Sequence, residues 1–148
     1  MPEYEHILLA LDLTDESNDQ LIQKAVGLSE SKQCRLSIIH AVKPIGYSYD
    51  RGLTLGLLDN NMKKLQDEAL SIAKNKLESI ATEHAIPLDR IHCNLGNPVS
   101  EIMRVTKEIN ADLVILGSYC RDNALRQIGS TAHRITDKAP CDTLIVRI

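Results

Sequence analysis

Two groups of residues, far apart along the chain, could do chemistry if the fold brought them together: Asp12, and the set Gly117 and Gly129-Ser130-Thr131. Leu113-Val114-Ile115-Leu116 is an apolar run that stops at Gly117, which reads as a strand buried on both faces giving way to small residues. A helix starting near Ser130 or Thr131 would turn unpaired backbone N–H groups toward an anion, so this is where a phosphate could sit. Asp12 closes a second apolar run, His6-Ile7-Leu8-Leu9-Ala10-Leu11. A carboxylate at such a strand end accepts either from ribose hydroxyls and an adenine amine or from backbone N–H groups of its own turn. Neither G-x-x-x-x-G-K-[ST] nor G-x-G-x-x-G occurs, and Gly117 and Gly129 read equally well as the ends of a strand and of a short helix over Asp122 to Ile128.

Other chemistries find less to work with. Gly117-Ser118-Tyr119 lacks the second glycine of a nucleophile elbow. Cys120 stands beside Arg121, which would lower a thiol pKa, yet no base accompanies it and an unreactive loop cysteine is the plainer reading. Arg121, Arg126 and Arg134 either gather at a triphosphate or form a solvated face. His40 reads as a packed or hydrogen-bonded structural histidine. The remaining histidines, His6, His84, His92 and His133, do not cluster with cysteines or carboxylates at ligand spacing, so no metal is expected.

The elements that must position these residues follow from periodicity. After the first strand, Leu21, Ile22, Ala25, Val26 and Leu28 predict a helix over Asp15 to Ser31 with Thr14 as its cap. Arg35 to Val42 predicts a second strand, and Lys43 to Thr54 a loop on the side of the strand ends. Leu58, Met62, Leu65, Ala69, Ile72, Ala73, Leu77 and Ile80 trace one long apolar stripe, predicting the longest helix from about Leu57 to Glu83. Arg90 to Leu95 alternates as an edge strand does. Asn97 with Pro98 caps a helix whose inner face is Val99, Ile102, Met103, Thr106 and Ile109. Leu113 to Leu116, a helix from Ser130 to about Lys138, and Thr143 to Val146 complete the pattern. Helical crossovers between successive strands demand parallel pairing with right-handed connections, hence a doubly wound α/β sheet of five strands with helices on both faces.

The chain has 148 residues, 43% of them hydrophobic and 25% charged, which suits a single globular domain over residues 1–148. With no Trp, no Phe and four Tyr, stacking platforms for single-stranded nucleic acid are hard to build, and a net charge of -3 adds no pull toward phosphate backbones or anionic membranes. Neither nucleic acid nor membrane is expected as a partner. The opening Met1-Pro2-Glu3-Tyr4-Glu5 carries no signal-peptide pattern and no apolar run is long enough to span a bilayer, so a cytoplasmic location is expected. Cys34, Cys93, Cys120 and Cys141 form no CxxC pair and are expected to be reduced and individually buried.

His6-Ile-Leu-Leu-Ala-Leu-Asp12, Leu36-Ser-Ile-Ile-His40-Ala-Val42, Gly96-Asn-Pro98, Ala111-Asp-Leu-Val-Ile-Leu-Gly117 and Gly129-Ser130 leading into Ala139-Pro-Cys-Asp-Thr-Leu-Ile-Val146 occur in an order that resembles the universal stress protein family over essentially the whole length. The resemblance implies strand order 3-2-1-4-5 in an adenine nucleotide alpha hydrolase-like fold, a homodimer paired through the last strand, Thr143 to Val146, and a role in stress response. For some members it implies ATP or AMP held by G-x2-G-x9-G-[ST]. Here Cys120 stands where the second glycine belongs and Gly129-Ser130 arrives one residue early, which should weaken the phosphate nest. Carried over by position, the implied nucleotide contacts are Ala10, Leu11 and Asp12, Ala41 against adenine, and Gly117, Cys120, Arg121, Gly129, Ser130 and Thr131 around the phosphates. The expectation is a non-catalytic dimeric stress-response or signalling module with a degenerate adenine-nucleotide site. The alternatives are an ATP/AMP switch or a weak nucleotide hydrolase.

Overall fold

The computed structural model describes residues 3–13, 18–44, 47–48, 53–54, 60–118 and 130–147. Its elements are β1 (His6–Ala10), α1 (Asn18–Lys32), β2 (Arg35–Val42), β3 (Tyr47–Ser48), β4 (Leu53–Thr54), α2 (Asn60–Glu83), a 3-10 turn (Leu88–Arg90), β5 (Ile91–Leu95), α3 (Pro98–Glu108), β6 (Leu113–Ser118), α4 (Ser130–Lys138) and β7 (Asp142–Arg147). Five strands form a parallel sheet in the order β5-β2-β1-β6-β7, which is 3-2-1-4-5 when these five are counted along the chain. The two most apolar strands, β1 and β6, lie inside the sheet, where both faces need covering.

Alternate residues of each strand feed two separate cores. Ile7, Leu9, Leu11, Ile38 and Ile115 pack with Leu21, Ile22 and Ala25 of α1 and with Ala73, Leu77 and Ala81 of α2. Leu8, Ile39, Val114 and Leu116 pack on the other face with Ile102 and Val105 of α3 and with Ala132 and Ile135 of α4. Thus α1 and α2 cover one face and α3 and α4 the other. In α3 the capping expectation holds in detail: the Asn97 side chain accepts from the Ser100 backbone N–H at 3.2 Å, and Pro98 takes the first helical turn.

Three sequence expectations need correction. The fourth strand does not stop at Leu116; β6 continues through Gly117 and Ser118, because Val146 and Arg147 of β7 offer ladder partners to both. Residues 43–54 are not all loop: Tyr47–Ser48 and Leu53–Thr54 pair antiparallel as β3 and β4. The long apolar stripe does form the longest described helix, α2, covered unevenly: Leu65 and Ile72 are each 57% exposed while Ala73, Leu77 and Ala81 are buried. Of the cysteines, Cys93 is buried, whereas Cys34 and Cys141 are half-buried and free, and Cys120 lies outside the described residues. Thr14 also lies outside them; α1 begins at Asn18.

Among the described residues no helix is long and apolar enough to cross a membrane, and no three His, Cys, Asp or Glu side chains group as metal ligands would.

Candidate functional site at the carboxyl edge of the sheet

The chain leaves β1 in one direction, through α1 to β2, and leaves β6 in the other, through α4 to β7, with α1 and α4 on opposite faces. A cleft opens at such a switch point, beyond the carboxyl ends of the two strands. The ladder records the opening. Pairing between β1 and β6 ends at Leu9 with Ile115, whereas pairing between β6 and β7 runs on to Ser118 with Arg147. Leu11, meanwhile, stays with β2, its N–H donating to the Ile39 carbonyl at 2.9 Å.

Asp12 follows directly, two residues past the end of β1, with an exposed side chain. Two side chains hold the backbone on which it sits. His40 Nδ1 lies 2.8 Å from the Leu11 carbonyl oxygen. A carbonyl only accepts, so Nδ1 carries a proton and donates. The Asn18 amide Nδ2, buried at the start of α1, donates to the carbonyl of Asp12 itself. His40 is therefore hydrogen-bonded, in line with its structural reading. Asn18 was missed: its role is a side-chain amide reaching back to the Asp12 carbonyl, a contact that apolar periodicity does not signal.

The other side of the cleft is formed by β6 and α4. Because β6 and β7 are parallel, α4 must return from the carboxyl edge to the amino edge, which puts Ser130 at the edge that carries Asp12. Thr131 is half-buried there, and Ala132 packs in the same core as Leu116, against which Ala10 also rests. The structure thus brings Ala10, Leu11, Asp12, Gly117, Ser130 and Thr131 to one edge, with Ala41 near the end of the neighbouring β2. Gly117 is half-buried within β6 and Ser118 is buried. Cys120, Arg121, Arg126, Gly129 and the suggested short helix over Asp122 to Ile128 lie outside the described residues.

Next to Ala41, β5 ends in a tight turn. Gly96 donates its N–H to the Val42 carbonyl at 2.9 Å and has φ +157°, and an added Cβ would come within 2.8 Å of Glu101 Cγ. Glu101 is held there by Arg104 at 2.7 Å, which also reaches Glu108 at 2.7 Å. The hydrogen bond to Glu101, its charge and that of Glu108 raise the Arg104 pKa, so the guanidinium is firmly committed to α3.

Several titratable groups among the described residues sit elsewhere. At the amino edge the Asp112 carboxylate accepts from the Glu5 N–H at 2.8 Å and the His6 N–H at 3.1 Å. Burial, with Arg35 and Arg90, lowers the His6 pKa, and burial lowers that of His92. Burial also raises the thiols of Cys34, Cys93 and Cys141, which keeps them protonated and poor nucleophiles. Tyr4, whose hydroxyl donates to Asp142 Oδ2 at 2.9 Å, has its pKa raised by that bond.

Known proteins resemble this chain along its whole length. The sequence pattern of the Universal stress protein family matches residues 3–147. Universal stress protein A homolog 2 of Coxiella burnetii is 32% identical over 149 residues, covering 100% of this chain and 98% of that protein. Among solved structures, the universal stress protein UspA from Lactobacillus plantarum superposes with a TM-score of 0.76 at 23% identity, covering 97% of this chain and 98% of that one. A universal stress protein solved in complex with cAMP gives a TM-score of 0.62 at 18% identity, covering 97% of each chain. At these identities the two structures speak to the fold alone. The match over residues 3–147, on a five-stranded parallel sheet in the order β5-β2-β1-β6-β7, means that this chain belongs to the universal stress protein family.

Proposed function

We infer that this chain is a non-catalytic, dimeric stress-response module whose carboxyl-edge cleft takes an adenine nucleotide with a weakened hold on the phosphates. The observation that carries this reading is the convergence of Asp12 and the start of α4 on one edge, where β1 and β6 part company. Asp12 would accept from the adenine amine or a ribose hydroxyl, Ala10 and Leu11 would line the base, and Ala41 is small enough to leave room for it. Backbone N–H groups of Ser130 and Thr131 would face the phosphates, with Gly117 of β6 on the same side. Cys120 and Arg121 complete the family's phosphate positions, and a Cβ and sulfur in place of glycine at 120 argue for weak binding. The cAMP held by the related protein supports an adenine nucleotide as the ligand class.

Calorimetric titration of nucleotide-stripped protein with ATP and AMP tests this: weak binding, lost in Asp12→Ala, is expected. No heat and no thermal shift at millimolar nucleotide would retire the ligand. Tight binding would favour the ATP/AMP switch, for which the retained Gly117 and Ser130 speak. A nucleotide hydrolase would need multiple-turnover phosphate release abolished by Asp12→Ala.

For the dimer, the supporting feature is β7. It is an edge strand, and Leu144 on it is 41% exposed. A two-fold mate would cover that edge with its own copy. Sedimentation as a dimer at micromolar concentration is expected, and a monomer would count against it.

A further inference from the structure

The outward face of α2 carries an apolar stripe that nothing in the described chain covers. Leu65 and Ile72, seven residues apart and therefore on one side of the helix, are each 57% exposed. No residue from Asn61 to Ile72 is buried. The helix is about 36 Å long for its 24 residues, much longer than the five-residue β5 it packs on. Between the second half of α2 and the start of α1 runs a groove of about 770 Å3 lined by Leu13, Ile22, Ile72 and Ile80 together with the polar Asn18, Asp19, Asn75, Lys76 and Ser79.

We propose that this face binds a second copy of the chain through an antiparallel α2–α2 contact with its two-fold axis at Ile72. In a two-fold contact the same patch serves both partners, so residues equally far before and after the axis meet. Glu68 and Lys76 lie four residues on either side of Ile72, and both are exposed. Each copy's Glu68 then meets the other copy's Lys76, giving two ion pairs of correct sign. Leu65 and Ser79 lie seven residues on either side. The exposed Leu65 of one copy is thereby delivered to the part of the groove framed by Ile72, Ser79 and Ile80 of the other, where its apolar surface leaves water. Lys64 falls opposite Ile80, over which its methylene stem can lie with the ammonium in solvent. The stripe supplies the knob, the groove supplies the hole, and the charges match only in the antiparallel sense.

The paired segment, Lys64 to Ile80, is about 25 Å long. A strip of that length and about 10 Å wide, a helix diameter, covers roughly 250 Å2, below the roughly 800 Å2 per partner of a standard interface, so the contact forms at high protein concentration. It is independent of any pairing through β7, which is at the far edge of the sheet from the α2-covered strands β5 and β2.

The full-length protein tests this in two ways. In Ile72→Cys the axis places the two introduced thiols side by side, so mild oxidation at roughly 100 µM protein should give a covalent dimer above the level of the parent, whose own cysteines set the baseline. In sedimentation, Glu68→Lys and Lys76→Glu should each reduce assembly, while the double variant, which reverses both pairs, should restore it. Leu65→Glu should halve the mass of the assembled species. A β7-mediated contact would survive all of these substitutions. Absence of an Ile72→Cys-dependent dimer, or a double charge reversal no better than the single ones, overturns the proposal and leaves the groove to a different occupant.

Discussion

His6 shows how a single buried group ties stability to pH. Its Nε2 lies 2.7 Å from Ser37 Oγ, and burial with the charges of Arg35 and Arg90 makes a second ring proton unwelcome, outweighing the Ile109 carbonyl and Asp112, which favour it. Burial is the largest cause of its lowered pKa, as it is for His92. The unfolded chain therefore takes up protons at about pH 6.5 that the folded chain still refuses, and stability must fall as pH drops below that value. We expect the urea midpoint to be lower at pH 5.5 than at pH 7.5, with a shallower dependence in His6→Gln. The three buried or half-buried thiols work at the other end. Their raised values mean that the unfolded chain ionises first, so stability should also decline as pH rises above about 8.5.

At the level of elements, α2 invites a paired comparison. Leu77 is wholly buried between the helix and the sheet, and Leu77→Ala should cost about 2–5 kcal/mol in chemical denaturation. Leu65, 57% exposed, contributes little to the monomer, and Leu65→Ala should change it by about 0.5 kcal/mol or less. Asn97→Ala, which removes the α3 cap, should cost about 1 kcal/mol. The same helix marks where sequence reading stopped. Its apolar spacing announced a helix, but hydrophobicity alone does not say whether a neighbour is present to cover a given turn, so the exposure of Leu65 and Ile72 was not legible. The strands were legible because residues buried on both faces must be continuously apolar. Gly117 and Ser118 escaped that signal, since a ladder is made by backbone and needs no apolar side chain. Of the candidate site, Asp12 and Ser130 could be named from their places at element ends. The support of Asp12 by Asn18 and His40 depends on through-space partners that no local spacing records.

In the molecule as a whole, strand order was carried by the succession of family segments and not by periodicity, which is blind to which strand lies beside which. The order β5-β2-β1-β6-β7 has one mechanical result. The cleft has unequal jaws. One, ending in Gly117 and Ser118, is laddered to β7; the other, Leu11 to Leu13, has left the ladder with β6 and is held by bonds that include Leu11 N–H to the Ile39 carbonyl and those from His40 and Asn18. On the proposed function, a ligand bound at this edge should protect the second jaw more than the first. Amide hydrogen exchange should register this as nucleotide-dependent slowing at Leu11 to Leu13, with Gly117 and Ser118 already slow in the empty protein.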